Sequence, residues 1–457
     1  MSPLARMRAV IAGISSQDEA GLEVWRRRSA TLVAALLVGL AAMAIAWLSD
    51  IAQSLFVRFD RANPYWALAA TPVVFLSLAW ATRRFAPETR GSGIPQVIAA
   101  AGHPDHPDSR AMLSLKAAVA KILLTCGAFL GGASVGREGP TVQVGAAIMV
   151  QVHRVLRVPM TSGVMIAGGA AGVSAAFNTP LAGISFAIEE LAVAYEQRVA
   201  VLVMGAVMIA GLTSQGLAGD YIYFGRMTGG LPVQSVLLAA PLAGVLGGVA
   251  GGLFARLLLE LRGPEGRFRG VLGRHPYITA LACAAIVAGL GVATGGLTWG
   301  TGYEPTRELL TGGDTDMWFG PAKFLATVAT AASGLPGGIF APSLAVGAGF
   351  GELLTPLFPA EHAGVIVLLG MAAYFVGVVR APLTAVIIIS EATGNTSAIL
   401  PLFATALIGD WAASMVCKER LYHALSRDFV VNRMERESAT AESVAEANAA
   451  AEKSSAR

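Results

Sequence analysis

The sequence predicts an all-α polytopic membrane protein, built from two similar halves whose helices are broken and in part too short to span. Three observations carry that prediction. Of 457 residues, 54% are hydrophobic and 14% charged, against about 45–50% and 25% in an ordinary soluble domain, which excludes a water-soluble enzyme. The 53 glycines and 22 prolines are more than uninterrupted helices need, so breaks at membrane depth are expected. The third is a repeat at a fixed spacing, set out below. Net charge is 33 − 30 = +3, and no basic cluster interleaves with aromatic residues, so nucleic acid is not an expected partner. Cys126, Cys283 and Cys417 lie far apart in apolar stretches and read as small buried hydrophobes rather than a disulfide or metal framework.

Residues 1–29 carry Arg6, Arg8, Arg26, Arg27 and Arg28 without an apolar core long enough for a signal peptide, and the positive-inside tendency holds them in the cytoplasm. The run from Ala30 to Trp47 is long enough to enter and roughly cross a hydrocarbon core of about 30 Å. A second span, Trp66 to Thr82, returns to Arg83 and Arg84. Apolar segments follow at 117–135, 140–152, 163–177, 180–194, 199–218, 231–260, 277–299, 321–333, 342–358, 363–379, 382–391 and 397–416. Several fall short of the roughly 20 residues of a span, and half-membrane helices are the natural reading. The membrane domain is therefore expected over 30–430, with halves of about 30–218 and 231–430. The tail, 431–457, is small, polar and charged, and is expected to be disordered in the cytoplasm.

A shift of 202 superposes Lys121 on Lys323, Thr125 on Thr327, Gly136 on Gly338, Pro140 on Pro342, Gly168 on Gly370, Pro180 on Pro382 and Glu189 on Glu391 without a gap. Glycine and alanine matches arise by chance in such a chain, whereas lysine, proline and glutamate at one offset point to an internal duplication. Duplicated halves with Gly/Pro-interrupted helices at matching places are the mark of a transporter whose site lies between the repeats near midplane.

Three glycine/proline-rich segments stand before apolar helices: Gly91-Ser92-Gly93-Ile94-Pro95, Gly136-Arg137-Glu138-Gly139-Pro140 and Gly337-Gly338-Ile339-Phe340-Ala341-Pro342. Each sets free backbone N–H groups ahead of a proline suited to a first helical turn. A helix N-terminus offers unpaired donors and about half a positive charge, enough to replace part of an anion's hydration shell. Partial charges bind without trapping the ion, as a full lysine or arginine charge would. One such segment is most simply a capped helix or a tight crossing; three together, two of them repeat-equivalent, indicate an anion site.

These segments, in this order and followed by Leu421-Tyr422, resemble the CLC family of chloride channels and chloride/proton antiporters, in its prokaryotic form without CBS domains. The resemblance covers about residues 25–430. It implies an inverted-topology repeat of tilted, partly spanning helices in a multi-pass inner-membrane homodimer with both termini cytoplasmic, and chloride ions, protons and the lipid bilayer as partners. It also implies chloride bound by the hydroxyls of Ser92 and Tyr422 and by backbone amides at Ile339 and Phe340. Gln96 replaces the glutamate that many relatives carry, and no change of function is attached to it. No cofactor or metal is implied.

Glu138 sits among glycines in an apolar region, where a carboxylate is costly and usually functional. A salt bridge to Arg137 or Lys121 is the plain alternative, but adjacent helical residues do not face each other and an ion pair needs no flanking glycines. A carboxylate at an anion-attracting helix end occupies the anion's place until protonation frees it. The family uses this glutamate as gate and external proton acceptor. Glu189 and Glu190 could be a solvated helix end; the resemblance makes Glu190 the internal proton relay and gives Glu189 a more structural part. The expected function is chloride/proton exchange, not enzymatic, with a passive voltage- or pH-gated chloride channel as the alternative. Gly132-Ala133-Ser134-Val135-Gly136 satisfies a hydrolase pattern, but Ser134 is expected within a helical run without His or Asp partners. His103, Asp105, His106 and Asp108, interrupted by prolines, read as a solvated turn rather than a metal site.

Overall fold

The computed structural model describes the backbone of residues 3–191, 197–219 and 221–429, and side chains from residue 23 onward within those ranges except 197 and 198. The first helix, α1 (Pro3–Ala62), passes through the arginine triplet without a break, because arginine is a good helix former. The expectation for the tail lies outside the described residues.

After α1 the chain forms α2 (Ala67–Phe85), α3 (Ile94–Gly102), α4 (Pro107–Met112), α5 (Leu115–Leu130), α6 (Glu138–Val155), α7 (Ser162–Phe177), α8 (Pro180–Phe186) and α9 (Gln197–Ala218). It continues through α10 (Val233–Arg262), α11 (Arg269–Arg274), α12 (Pro276–Ala293), α13 (Tyr303–Leu310), α14 (Phe319–Ser333), α15 (Phe340–Glu352), α16 (Ala363–Val379), α17 (Pro382–Thr393) and α18 (Ile399–Val416). A terminal helix covers 421–429. Among the described residues there is no strand. Among the described residues seven helices are long and apolar enough to cross a membrane. The short ones, α3, α8, α13, α15 and α17, are not, and they are the interrupted elements that the prolines and glycines announce. The fold is thus an all-α polytopic membrane protein, and α16, with α10, α15 and α18 against it, is its most deeply buried span.

Positions 202 apart meet across the centre. The Gly136 and Gly338 amides each donate to the other's carbonyl, at 2.8 and 2.7 Å. Glu189 accepts from the Leu383 and Thr384 amides that open α17 (3.0 and 2.6 Å) and from the Thr384 hydroxyl. Its counterpart Glu391 accepts from the Leu181 and Ala182 amides that open α8 (3.3 and 2.9 Å). Each carboxylate caps the other half's helix, where unpaired N–H groups and the dipole favour negative charge.

The lysines correspond as well. Lys121 is fully buried and its Nζ donates to the carbonyls of Thr89 and Gly91 at 2.7 and 2.6 Å. Lys323 donates to those of Thr298 and Gly300 at 2.9 and 2.7 Å. Each thereby fastens the loop ahead of a short helix, α3 or α13. Each buried amino group is tolerable because two backbone carbonyls accept from it.

Candidate functional site

The three glycine-rich segments are bonded to one another through backbone. Besides the Gly136–Gly338 pair, the Gly337 amide donates to the Gly91 carbonyl at 3.0 Å. The N-termini of α3, α6 and α15 therefore meet, which aims their free amides and dipoles at one place. Two glycines permit this closeness. A methyl group on Gly139 would lie 2.3 Å from Ser92 Oγ and 3.2 Å from Gly338 Cα. One on Gly136 would lie 2.4 Å from Glu138 Oε2 and 3.0 Å from Pro342 Cδ.

Ser92, Ile339 and Tyr422 line one cavity of about 580 Å³. The hydroxyls of Ser92 and Tyr422 are buried near each other, and neither has a hydrogen bond of ordinary geometry within the protein. Phe340 opens α15 with its ring fully buried, 5.9 Å from the Tyr422 ring and 5.0 Å from that of Phe375. Glu138 opens α6, fully buried, its carboxylate near the backbone amides of Arg137 and Ala341 but without a hydrogen bond of ordinary geometry. The structure thus gathers Ser92, Glu138, Ile339, Phe340 and Tyr422 at the meeting of the helix ends. Hydroxyls and amides there can donate to an anion, and a carboxylate so placed competes with it for the same donors.

Neither cation near Glu138 in sequence pairs with it. Arg137 turns to α1, donating to the Ala46 carbonyl (2.9 Å) and Asp50 (2.6 Å), and Lys121 serves the loop carbonyls described above. Glu190 stands apart from the glycine-rich segments. There α8 widens into a π turn, Ala187–Leu191, an irregularity often found at functional sites. Glu189 thereby reaches α17, while the fully buried Glu190 carboxylate, without a hydrogen bond, faces the terminal helix at 3.9 Å from His423 Nε2.

From Ser92 and Tyr422 the cavity runs outward past Arg83, Arg90, Arg262, Arg269 and Arg274. Asp428, on the terminal helix, accepts from both Arg90 and Arg269. That clamp ties the Tyr422 helix to the residue preceding Gly91-Ser92. Sequence reading missed Arg90, Arg269 and Asp428 entirely, because the burial of Asp428 that marks the clamp is visible only in the structure.

Ser134 is not helical. Gly131 and Gly132, the latter at φ 68°, end α5, so Ser134 falls in the loop before α6. Its Oγ bonds Thr327 Oγ1 at 2.8 Å and its amide donates to Thr330 Oγ1 at 3.1 Å, joining the halves. His106 caps α4, its Nδ1 accepting from the Asp108 amide at 3.2 Å. The cysteines are free thiols, two buried and Cys126 half-buried.

Residues 73–414 match the family model described as voltage gated chloride channel. Similar curated proteins include H(+)/Cl(-) exchange transporter ClcA of Cronobacter sakazakii, 31% identical across 94% of this chain and 95% of that protein. ClcA of Salmonella agona is 30% identical over 85% of each. Among solved structures, a slow cyanobacterial Cl-/H+ antiporter has a TM-score of 0.74 at 22% identity, covering 89% of this chain and 98% of the other. A CLC-type fluoride/proton antiporter gives the same values. The structural likeness speaks for the fold, the family match and the relatives for descent: a polytopic helical chain with three converging, glycine-flanked helix ends is here a member of the CLC family of voltage gated chloride channels and transporters.

Proposed function

We propose that the protein exchanges chloride for protons across a membrane. The observation that carries this reading is the meeting of three helix N-termini with two buried hydroxyls and one buried carboxylate at the same place. Dehydrated chloride is held by the Ser92 and Tyr422 hydroxyls and by amides at Ile339 and Phe340. Glu138 occupies the anion's place when ionised and leaves it when protonated, so a proton taken up from outside is the condition for anion movement. Glu190, buried beside the terminal helix, relays protons from the cytoplasm, since carboxylates inside apolar segments are the usual stations for them. The ClcA relatives support the exchange reading.

The working form is a homodimer in the inner membrane, comprising a cytoplasmic segment 1–29, the membrane domain 30–430 and a cytoplasmic tail 431–457. The deciding experiment places purified protein in liposomes under an imposed chloride gradient. Protons driven against their own gradient are the expected result; chloride current indifferent to pH would establish a passive channel instead.

A further inference from the structure

A relay at Glu190 needs a partner that reaches water, because its carboxylate is fully buried. Glu189 is occupied: its carboxylate accepts three hydrogen bonds at the start of α17. Arg420 is engaged too, its Nη1 donating to the Glu189 carbonyl at 3.2 Å. His423 differs from both. It follows Tyr422 on the terminal helix, its side chain is 34% exposed, and its Nε2 lies 3.9 Å from Glu190 Oε1.

We propose that His423 is the group that passes protons between the cytoplasm and Glu190, an inference resting on the exchange reading above. A separation of 3.9 Å exceeds a direct hydrogen bond; a small rotation of the imidazole or one bridging water spans it. In the transfer, the Nε2–H bond breaks and a Glu190 carboxylate oxygen gains the proton. A hydronium ion from the exposed side has first protonated Nδ1, so the ring passes from imidazolium to neutral in this step, and proton exchange with water moves the remaining proton from Nδ1 back to Nε2 for the next cycle. Imidazole suits the task because it alone among side chains titrates, when unperturbed, between pH 5 and 8. Among the described residues the charged groups facing it are Glu190 from the π turn and Arg420 from the start of its own helix.

The pairing also places the proton and anion routes on adjacent residues. Tyr422 points its hydroxyl to the cavity, while His423, about 100° around the helix, meets Glu190. The two routes share a helix without sharing a side chain.

The test uses the full chain in liposomes with His423→Ala and His423→Asn, the second keeping a polar side chain of closer size. Chloride-driven proton pumping should slow at least about tenfold in both, and free imidazole on the cytoplasmic side should restore it in the alanine variant. Chloride binding by calorimetry should stay at the parent value, and in a Glu138→Gln background chloride flux should be the same with and without the His423 change. Full-speed pumping in His423→Ala, or slow pumping that imidazole does not raise, overturns the proposal. Glu190→Gln run beside them separates the two claims: a variant that still pumps protons overturns the relay itself. Silence in Glu190→Gln with full speed in His423→Ala overturns His423 alone.

Discussion

The two ends of the 202-residue shift share their joints and differ in their chemistry. Lys121 and Lys323 fasten loops, Glu189 and Glu391 cap helices, and Gly136 and Gly338 bond each other. Yet Glu138 opens α6 where Phe340 opens α15, Arg137 stands opposite Ile339, and Glu190 opposite Ala392. One region holds the titratable groups and the other holds aromatic and apolar ones. A joint spanning the axis needs both copies of its residue, whereas an anion path needs only one gate. The duplicated scaffold is therefore free to carry unequal chemistry.

The largest expected effect breaks this asymmetry. Glu138→Gln mimics a protonated gate that cannot titrate, so it should transport chloride with no proton coupling and little pH dependence, while Phe340→Leu at the matching position keeps coupling. Paired chloride and proton fluxes in liposomes decide this, and coupling retained in Glu138→Gln would remove Glu138 from the shared step. Next comes the adjacent pair. Glu190→Gln should abolish proton movement while chloride movement persists. Glu189→Gln and Glu391→Gln should instead lower thermal stability, each by about 2 kcal/mol and Glu189→Gln the more, because charged hydrogen bonds at a helix start are lost, three at Glu189 and two at Glu391. Normal proton pumping in Glu190→Gln with loss in Glu189→Gln would put the relay on the other carboxylate.

A smaller effect tests the buried lysines. Lys121→Met and Lys323→Met each leave two buried carbonyls without donors, at a cost of roughly 1–3 kcal/mol. Both should melt lower in detergent. Only Lys121→Met should also weaken chloride binding, because it holds the Gly91 carbonyl beside Ser92. Equal loss of binding in both would show the two loops to be functionally alike. Smallest is Tyr422→Phe, which removes one hydroxyl donor from the anion and leaves the helix ends; about tenfold weaker chloride affinity by calorimetry is expected, the equivalent of about 1.4 kcal/mol. Unchanged affinity would count against the tyrosine.

Much of this was legible in the sequence because the signals are local or regular. A proline behind glycines marks a helix start, and a gap-free offset marks equivalent positions. What escaped was irregular. Gly300-Thr301-Gly302 precedes α13 as Gly91-Ser92-Gly93 precedes α3, with Gly302 and Gly93 both at positive φ, 80° and 110°. Its offset is 209 rather than 202, since α13 and its lysine lie seven residues closer together, so a fixed shift passes over it. The Asp428 clamp joins residues 338 and 159 positions away, a distance at which charge pairing leaves no periodic trace. The separate directions of Glu189 and Glu190 come from a π turn, and an apolar run with two glutamates reads the same whether its last turn is α or π.

The exchanged caps and the central glycine pair also limit the kind of motion open to the chain. Helices that finish one another's hydrogen bonding cannot swing apart as rigid bodies without exposing buried amides and carbonyls to hydrocarbon. A cycle that keeps these links closed is left with rotations of side chains and short shifts of single helices. Exposed side chains turn in picoseconds to nanoseconds, against microseconds to milliseconds for domain hinges. On the exchange reading proposed above, the pace of turnover then falls to proton delivery and ion dehydration rather than to the rocking of one half against the other.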